Sequence, residues 1–350
     1  MKKKINNETY LTLDENAQYF ECGYSCDNAV VLNIQGDKFF ITDSRYTLEA
    51  QQNTKNTQVI QADDLLACAC GIFNKNSIQN ILFDPNQMTF AHYEKLKSLL
   101  KSSINLMGVA NFHQFKRIIK TDEEIKWIKK SQKLNEQAYE HFSKYLYGYG
   151  HLMSEEIMFY HAKNFLSYQG KYELSFYPIL GINGNAAKPH ALPSPKDRLK
   201  YGDLLLFDAG IKYKRYCSDR TRTAYFTKEG IDFKKHQKFK DKKLQKIYDT
   251  VLSAQEKTIE LLRSGMSGKE IDGIARGVIE ESGYGEYFIH STGHGIGLDI
   301  HELPFISKRS EVIVEDGMVF SIEPGIYIPG HYGVRIEDLV VVKNGKAQIL

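Results

Sequence analysis

Through the first third of the chain, apolar and polar positions alternate in short β-type runs separated by stretches of helical spacing. AVVLNI and KFFIT, joined by the turn residues QGD, predict a hairpin. TLEAQQN, LLACACGIF and FAHYEKLKSLL space their apolar residues as helices do, with TQVIQ and NILFD as strands between them. This pattern predicts an α/β domain. Near Phe115 the period lengthens, and Thr121 followed by Glu124 has the spacing of a capping box that opens a long amphipathic helix. The domain boundary is therefore placed at about residue 118, giving domains 1–118 and 119–350. Beyond it, helical patterns recur at 154–168, 242–263 and 268–282. The strand patterns LLLFDAGIKYK, YCSDRTRTAYF, MVFSIEPGIYI and YGVRIEDLVVV carry most of the unusual polar residues. Short turns join them in pairs, so the second domain reads as α+β with an antiparallel sheet.

Bulk charge changes this picture little. The 46 basic and 43 acidic residues leave a formal charge of +3, which gives no reason to expect a nucleic-acid or membrane partner. The basic run FKKHQKFKDKKLQK, 233–246, reads as the solvated face of a helix. The start, MKKKINNETYLTLDEN, is positively charged, but polar residues follow where an export signal needs an apolar segment, so no export is expected. Apolar runs such as 65–73 fall short of the roughly 18 residues of a membrane span. Cys22, Cys26, Cys68, Cys70 and Cys217 are odd in number and lack zinc-knuckle spacing, so they read as thiols in a reducing cytoplasm.

The chemistry lies in two segments that fold back on themselves. DAGIKYKRYCSDRTRT, 208–223, closed about Tyr213 and Lys214, sets Asp208 opposite Asp219, with Cβ atoms roughly 5 Å apart. In SIEPGIYIPGHYGVRIED, Glu323 and Glu337 are symmetric about Gly330, within a turn-forming PGHYG. Taken singly, Asp219 beside Arg220 and Glu337 beside Arg335 would read as surface ion pairs. Two matched acidic pairs together require a counter-charge, because buried carboxylates without one must pay desolvation or protonate. Four carboxylates and a neutral imidazole suit two divalent cations, the arrangement of many hydrolytic centres. His294, between Gly293 and Gly295 in FIHSTGHGIGLDIHELP, supplies the imidazole, since those glycines permit close backbone approach. That stretch has neither a Walker lysine nor dinucleotide spacing, and four residues after His301 stands Phe305, so no zinc-helix motif is present.

Asp208 in FDAG, Asp219 in CSDRTRT, His294 in STGHGIG, Glu323 in SIEPG and Glu337 in RIEDL, in that order, resemble the signature of the pita-bread metallopeptidases, in the branch of Xaa-Pro aminopeptidases and Xaa-Pro dipeptidases. The match runs from about residue 176 to 342; the preceding third, including ITDSRY, resembles their creatinase-like N-terminal α/β domain. The resemblance implies a pseudo-symmetric catalytic domain in which Asp208 and Glu323 each serve one metal, Asp219 and Glu337 bridge both, and His294 caps one. It also implies that His190 in NAAKPHALPS and His301 in DIHELP face the substrate, that Glu323 shuttles a proton, and that His290 is either a pocket or a structural residue. The implied reaction is cleavage between an N-terminal residue and a following proline by a cytoplasmic homodimer holding two divalent ions, manganese first, with cobalt, zinc or iron also compatible. Phe305 stands where related dipeptidases often place an arginine, which points to an aminopeptidase; Lys188 or Arg335 would supply the charge for the dipeptidase alternative. A methionine aminopeptidase and a non-catalytic binding relative are the remaining readings; five intact ligands and the N-terminal domain weigh against them.

Overall fold

A computed structural model describes residues 8–350. The basic start MKKKINN, part of the export reading, lies outside the described residues. The chain divides into two compact units, one ending at Arg117 and the other running from Ile118 to Leu350.

The first unit is built on a six-stranded mixed sheet in the order β4-β3-β2-β1-β5-β6. Its strands are β1 (Tyr10–Thr12), β2 (Ala29–Ile34), β3 (Asp37–Thr42), β4 (Gln58–Gln61), β5 (Asn80–Phe83) and β6 (Asn105–Gly108). Helices α1 (Glu15–Cys22), α2 (Thr47–Asn53), α3 (Leu65–Lys75), α4 (Phe90–Leu99) and α5 (Phe112–Arg117) accompany it. The predicted hairpin is β2-β3, closed by Gln35 and Gly36 in the left-handed region. Asp14, Asp64 and Thr89 cap their helices by accepting from Ala17, Ala67 and His92 N–H. All five cysteines are free thiols, and all but Cys68 are buried.

The second unit opens with α6 (Asp122–Tyr149), whose Thr121–Glu124 capping box forms as its spacing predicts. Ile128, Leu134, Ala138, Phe142 and Leu146 make its buried stripe. With α7 (Glu155–Leu166) it covers a three-stranded sheet of β7 (Ile179–Ile182), β8 (Leu204–Ala209) and β11 (Arg220–Tyr225), around a core centred on Phe142, Phe207 and Leu205. A second half repeats the plan. Helices α8 (Lys242–Leu261) and α9 (Gly268–Glu281) pack against a five-stranded sheet, in the order β13-β12-β14-β17-β18. Those strands are β12 (Gly293–Gly295), β13 (Glu302–Ile306), β14 (Val319–Ile322), β17 (Asp338–Lys343) and β18 (Lys346–Ile349).

Each of the four long strand patterns is broken in two. β8 is followed by β9 (Lys212–Tyr213), β10 (Tyr216–Cys217) precedes β11, β14 is followed by β15 (Gly325–Ile328), and β16 (Tyr332–Arg335) precedes β17. The breaks fall beside Asp208, at Asp219, at Glu323 and at Glu337. Two details differ from the sequence reading. Lys214 and Arg215, both at positive φ, form the turn of the first hairpin, so Asp208 pairs with Thr221 rather than Asp219. Tyr213 stays in its strand because its ring packs near Tyr172 at the edge of the core. A shift of two residues preserves the face, so both aspartates still point the same way. In the basic run, helix α8 starts only at Lys242, where Asp241 accepts from Lys243 and Leu244 N–H; the preceding segment is a loop that buries Phe233.

Candidate metal centre and substrate cleft

The second hairpin forms in the predicted register: Gly325 pairs with Arg335 and Ile322 with Asp338, which sets Glu323 across from Glu337 at the break between the two ladders. Asp208, Asp219, His294 and Glu337 are buried, and the Glu323 side chain is 15% exposed. Ligand atoms of Asp219, His294 and Glu337 lie within 4.8 Å of one another. His294 Nε2 stands 3.6 Å from Asp219 Oδ2 and 3.4 Å from Glu323 Oε1. Asp208 joins the group from the opposite strand, held by Arg335 Nη2 at 2.6 Å.

Glycine makes this approach possible. A Cβ on Gly293 would meet Ser321 O at 1.9 Å, and one on Gly210 would meet Ser218 O at 2.0 Å. The backbones flanking His294 and Asp219 thus pack where no side chain fits.

Four acidic groups in one interior strain its electrostatics. Burial, reinforced by Glu337, Asp208 and Glu323, pushes Asp219 well above the usual carboxylate range. Burial, with Glu323 and Asp208 beside it, does the same to Glu337. Burial also lifts Glu323 to about 8, against the opposing pull of Arg335. Burial and the neighbouring His301 depress His294 to about 3, so its imidazole is neutral. Its Nδ1 faces Gly295 O at 3.1 Å and must donate there, which leaves the Nε2 lone pair aimed at the carboxylates.

Asp208 Oδ1, Asp219 Oδ1 and Glu337 Oε1 are buried without a hydrogen-bond partner. Three orphaned carboxylate oxygens around a neutral imidazole form an oxygen-rich donor set that fits divalent cations. The remaining lone pairs are fixed from outside: Thr221 Oγ1 donates to Glu337 Oε2 at 2.8 Å, and Ser321 Oγ to Glu323 Oε1 at 3.3 Å. Arg222, paired with Asp338, donates to the Glu337 carbonyl.

The centre opens into a cleft of about 540 Å³, which Asp208, Asp219, His294, Glu323, Glu337 and Arg335 share with His190, His290 and His301. His190 and His301 are exposed, with His301 edge-on to His294 at a ring separation of 4.2 Å. His290 is held instead: its Nδ1 donates to Ser291 O, and its Nε2 accepts from Tyr327 Oη at 2.8 Å. Tyr327 in turn accepts from Arg335 Nη1 at 2.7 Å, completing a chain from His290 to Asp208.

Two residues in this arrangement escaped the sequence reading. Tyr327 left a faint trace in Gly325, where a Cβ would meet the Tyr327 hydroxyl at 2.6 Å. Glu155 left none. Fully buried at the start of α7, it accepts from Ile182 N at 2.6 Å, Asn185 Nδ2 at 2.6 Å and Ser194 N at 2.7 Å. Those three bonds pin both ends of the loop that carries His190.

Comparison with known proteins agrees with this geometry. Residues 126–344 match the metallopeptidase family M24, and residues 2–119 match the creatinase/prolidase N-terminal domain. An Xaa-Pro dipeptidase of Lactobacillus delbrueckii subsp. lactis is 37% identical over 76% of this chain and 69% of its own length. The structure of an Xaa-Pro dipeptidase from Bacillus anthracis superposes with a TM-score of 0.89 at 32% identity, covering 99% of this chain and 94% of that one. An X-Pro aminopeptidase from Thermotoga maritima MSB8 gives 0.85 at 28% identity, covering 99% and 96%. With both of its domains matched and its acidic hairpins converging on one histidine, the chain belongs to metallopeptidase family M24, in its Xaa-Pro peptidase branch, and is a metal-dependent hydrolase.

Proposed function

We propose that the protein is an Xaa-Pro aminopeptidase, which releases the N-terminal residue ahead of a proline from peptides longer than two residues. The observation that supports this reading is the state of Arg335, the one lysine or arginine among the described residues lining the cleft. Its guanidinium already donates to Asp208 Oδ2, Tyr327 Oη, Thr221 Oγ1 and Pro189 O. A dipeptide's carboxylate, one residue beyond the bond, would have to compete with Asp208 for it. Lys188, the other candidate, is exposed and bonded to Asn185. Phe305 lines the cleft as an apolar wall where a cation would be useful to a dipeptidase.

Asp208, Asp219, His294, Glu323 and Glu337 would hold two divalent ions, with manganese favoured for so oxygen-rich a set. When bound, the ions supply Lewis acidity and make a water acidic enough to ionise near neutral pH. Glu323, with Oε1 engaged by Ser321, keeps Oε2 to take a proton and pass it to the leaving nitrogen. His190 and His301 donate to the oxyanion that develops on the scissile carbonyl. Proline offers no amide N–H, so recognition falls to shape, and Phe176, Ile179 and Leu192 supply apolar walls. The same reading carries a homodimer in the cytoplasm; among the described residues, no helix is long and apolar enough to cross a membrane.

The dipeptidase reading is kept because the Lactobacillus relative and the Bacillus anthracis structure bear that name. Comparing kcat/KM for Xaa-Pro with that for Xaa-Pro-Yaa, in manganese-loaded enzyme, separates the two. Preference for the tripeptide is expected; a strong preference for the dipeptide overturns the proposal.

A further inference from the structure

The cleft's outer wall is aromatic. Phe159 on α7 and Tyr177, 73% exposed, both line it, with ring centroids 6.4 Å apart. Lys163 lies one helical turn beyond Phe159, on the same face of α7. Its ammonium sits 4.8 Å from the Tyr177 centroid and 5.4 Å from that of Phe159. Two ring faces hold a flexible cation in place at little cost to its charge. No carboxylate of the described residues lies within ion-pair range of it; what sets it apart from the other unpaired lysines is that two rings of the cleft wall hold it in place. A positioned cation without an anion, beside the mouth of a cleft that carries peptides, is suited to an anion that the substrate brings.

Resting on the aminopeptidase reading above, we propose that Lys163 recognises the C-terminal carboxylate of a short peptide, selecting free tripeptides Xaa-Pro-Yaa. The Tyr177 and Phe159 rings would take the side chain of Yaa, and the ammonium its carboxylate. Arg335, engaged by Asp208 deep in the cleft, leaves this role open. Two residues past the scissile bond, an extended chain places its carboxylate about 7 Å further out, toward the rim rather than the metals.

The test measures kcat/KM for Xaa-Pro-Yaa as the free acid and as the C-terminal amide, with manganese-loaded full-length wild type, K163Q, K163R and K188Q. The expected result is an acid preference of about threefold to fivefold in the wild type, the strength of a half-exposed ion pair. That preference should collapse toward one in K163Q through KM, survive in K163R, and persist in K188Q, which removes a like charge from the loop that carries His190. A role for Lys163 confined to the C-terminal turn of α7 would change stability and leave the acid-to-amide ratio alone. The inference is overturned if K163Q keeps the wild-type ratio, if K188Q lowers it equally, or if the loss falls on the Xaa-Pro dipeptide alone. Calorimetric binding of the same two peptides separates this from the catalytic reading. Acid selectivity that K163Q abolishes, in a protein that cleaves neither peptide, would uphold Lys163 while removing the proposed activity; binding without selectivity would remove Lys163.

Discussion

Replacing Glu155 by glutamine tests how the fold holds its substrate-facing histidine. The carboxylate is wholly buried and receives three donors, two of them backbone N–H groups at either end of the segment 182–194. Burial raises its pKa, and the bonds from Ile182, Ser194 and Asn185 oppose that rise. Glutamine keeps the shape but offers one acceptor end. If its oxygen serves Asn185 and Ser194, its amide confronts Ile182 N–H, losing one strong bond and leaving a buried donor unmatched. A lost charge-assisted bond and an orphaned donor together cost about 2–4 kcal/mol. The assay is urea unfolding paired with kcat/KM on an Xaa-Pro-Yaa peptide. Glu155→Gln should lower stability by that amount, and turnover should fall roughly ten- to hundredfold as His190 loses its position. His190→Ala, at an exposed position, should cost activity with little loss of stability. If Glu155→Gln unfolds within about 0.5 kcal/mol of the wild type, the ordinary range for surface changes, Glu155 is not the clamp.

Acid stability should depend on Glu21 in the first unit. Burial alone would raise its pKa, but Lys116, Lys38 and His113 prevail and bring it from 4.5 to about 2. Because the folded value is depressed, its contribution is complete above pH 4.5 and is lost as pH falls through about 2; the carboxylate's share is about 3 kcal/mol. Burial outweighs Glu21 at Lys116 and lowers that pKa, so the pair's net contribution is smaller. Glu21→Gln should flatten the acid limb of a stability-against-pH curve, and an unchanged limb would refute the assignment. Gly293→Ala places a methyl 1.9 Å from Ser321 O, forcing β12 from β14, and should cost more than about 3 kcal/mol; a wild-type unfolding midpoint would contradict that packing.

The sequence carried the centre's composition further than its geometry. Asp208, Asp219, His294, Glu323 and Glu337 were nameable because matched acidic pairs across two turns are hard to bury without a cation, and glycines flank the histidine. The long helix was legible from its capping box. The register of the first hairpin was not, since Lys214 and Arg215 adopt a left-handed turn without a glycine or asparagine to mark it. Strands β1, β6, β7, β12, β13 and β18 went unread: they are three to five residues long and, unlike the equally short β4 and β5, do not stand between two helical patterns that mark them off. Glu155 was invisible for a different reason. An acidic residue in the first turn of a helix looks like an ordinary dipole partner, and only the tertiary fold brings Ile182, Asn185 and Ser194 to it.

Four acidic side chains share this interior with one neutral imidazole, a donor set whose desolvation and mutual repulsion divalent cations would offset. The most direct measurement is the metal content of wild type and Asp219→Ala after purification without added metal and equilibration with manganese. Two ions per wild-type chain are expected, with both lost from a variant that still folds. A wild type that stays empty with manganese, cobalt, zinc and iron alike, or an Asp219→Ala that retains two ions, would contradict it.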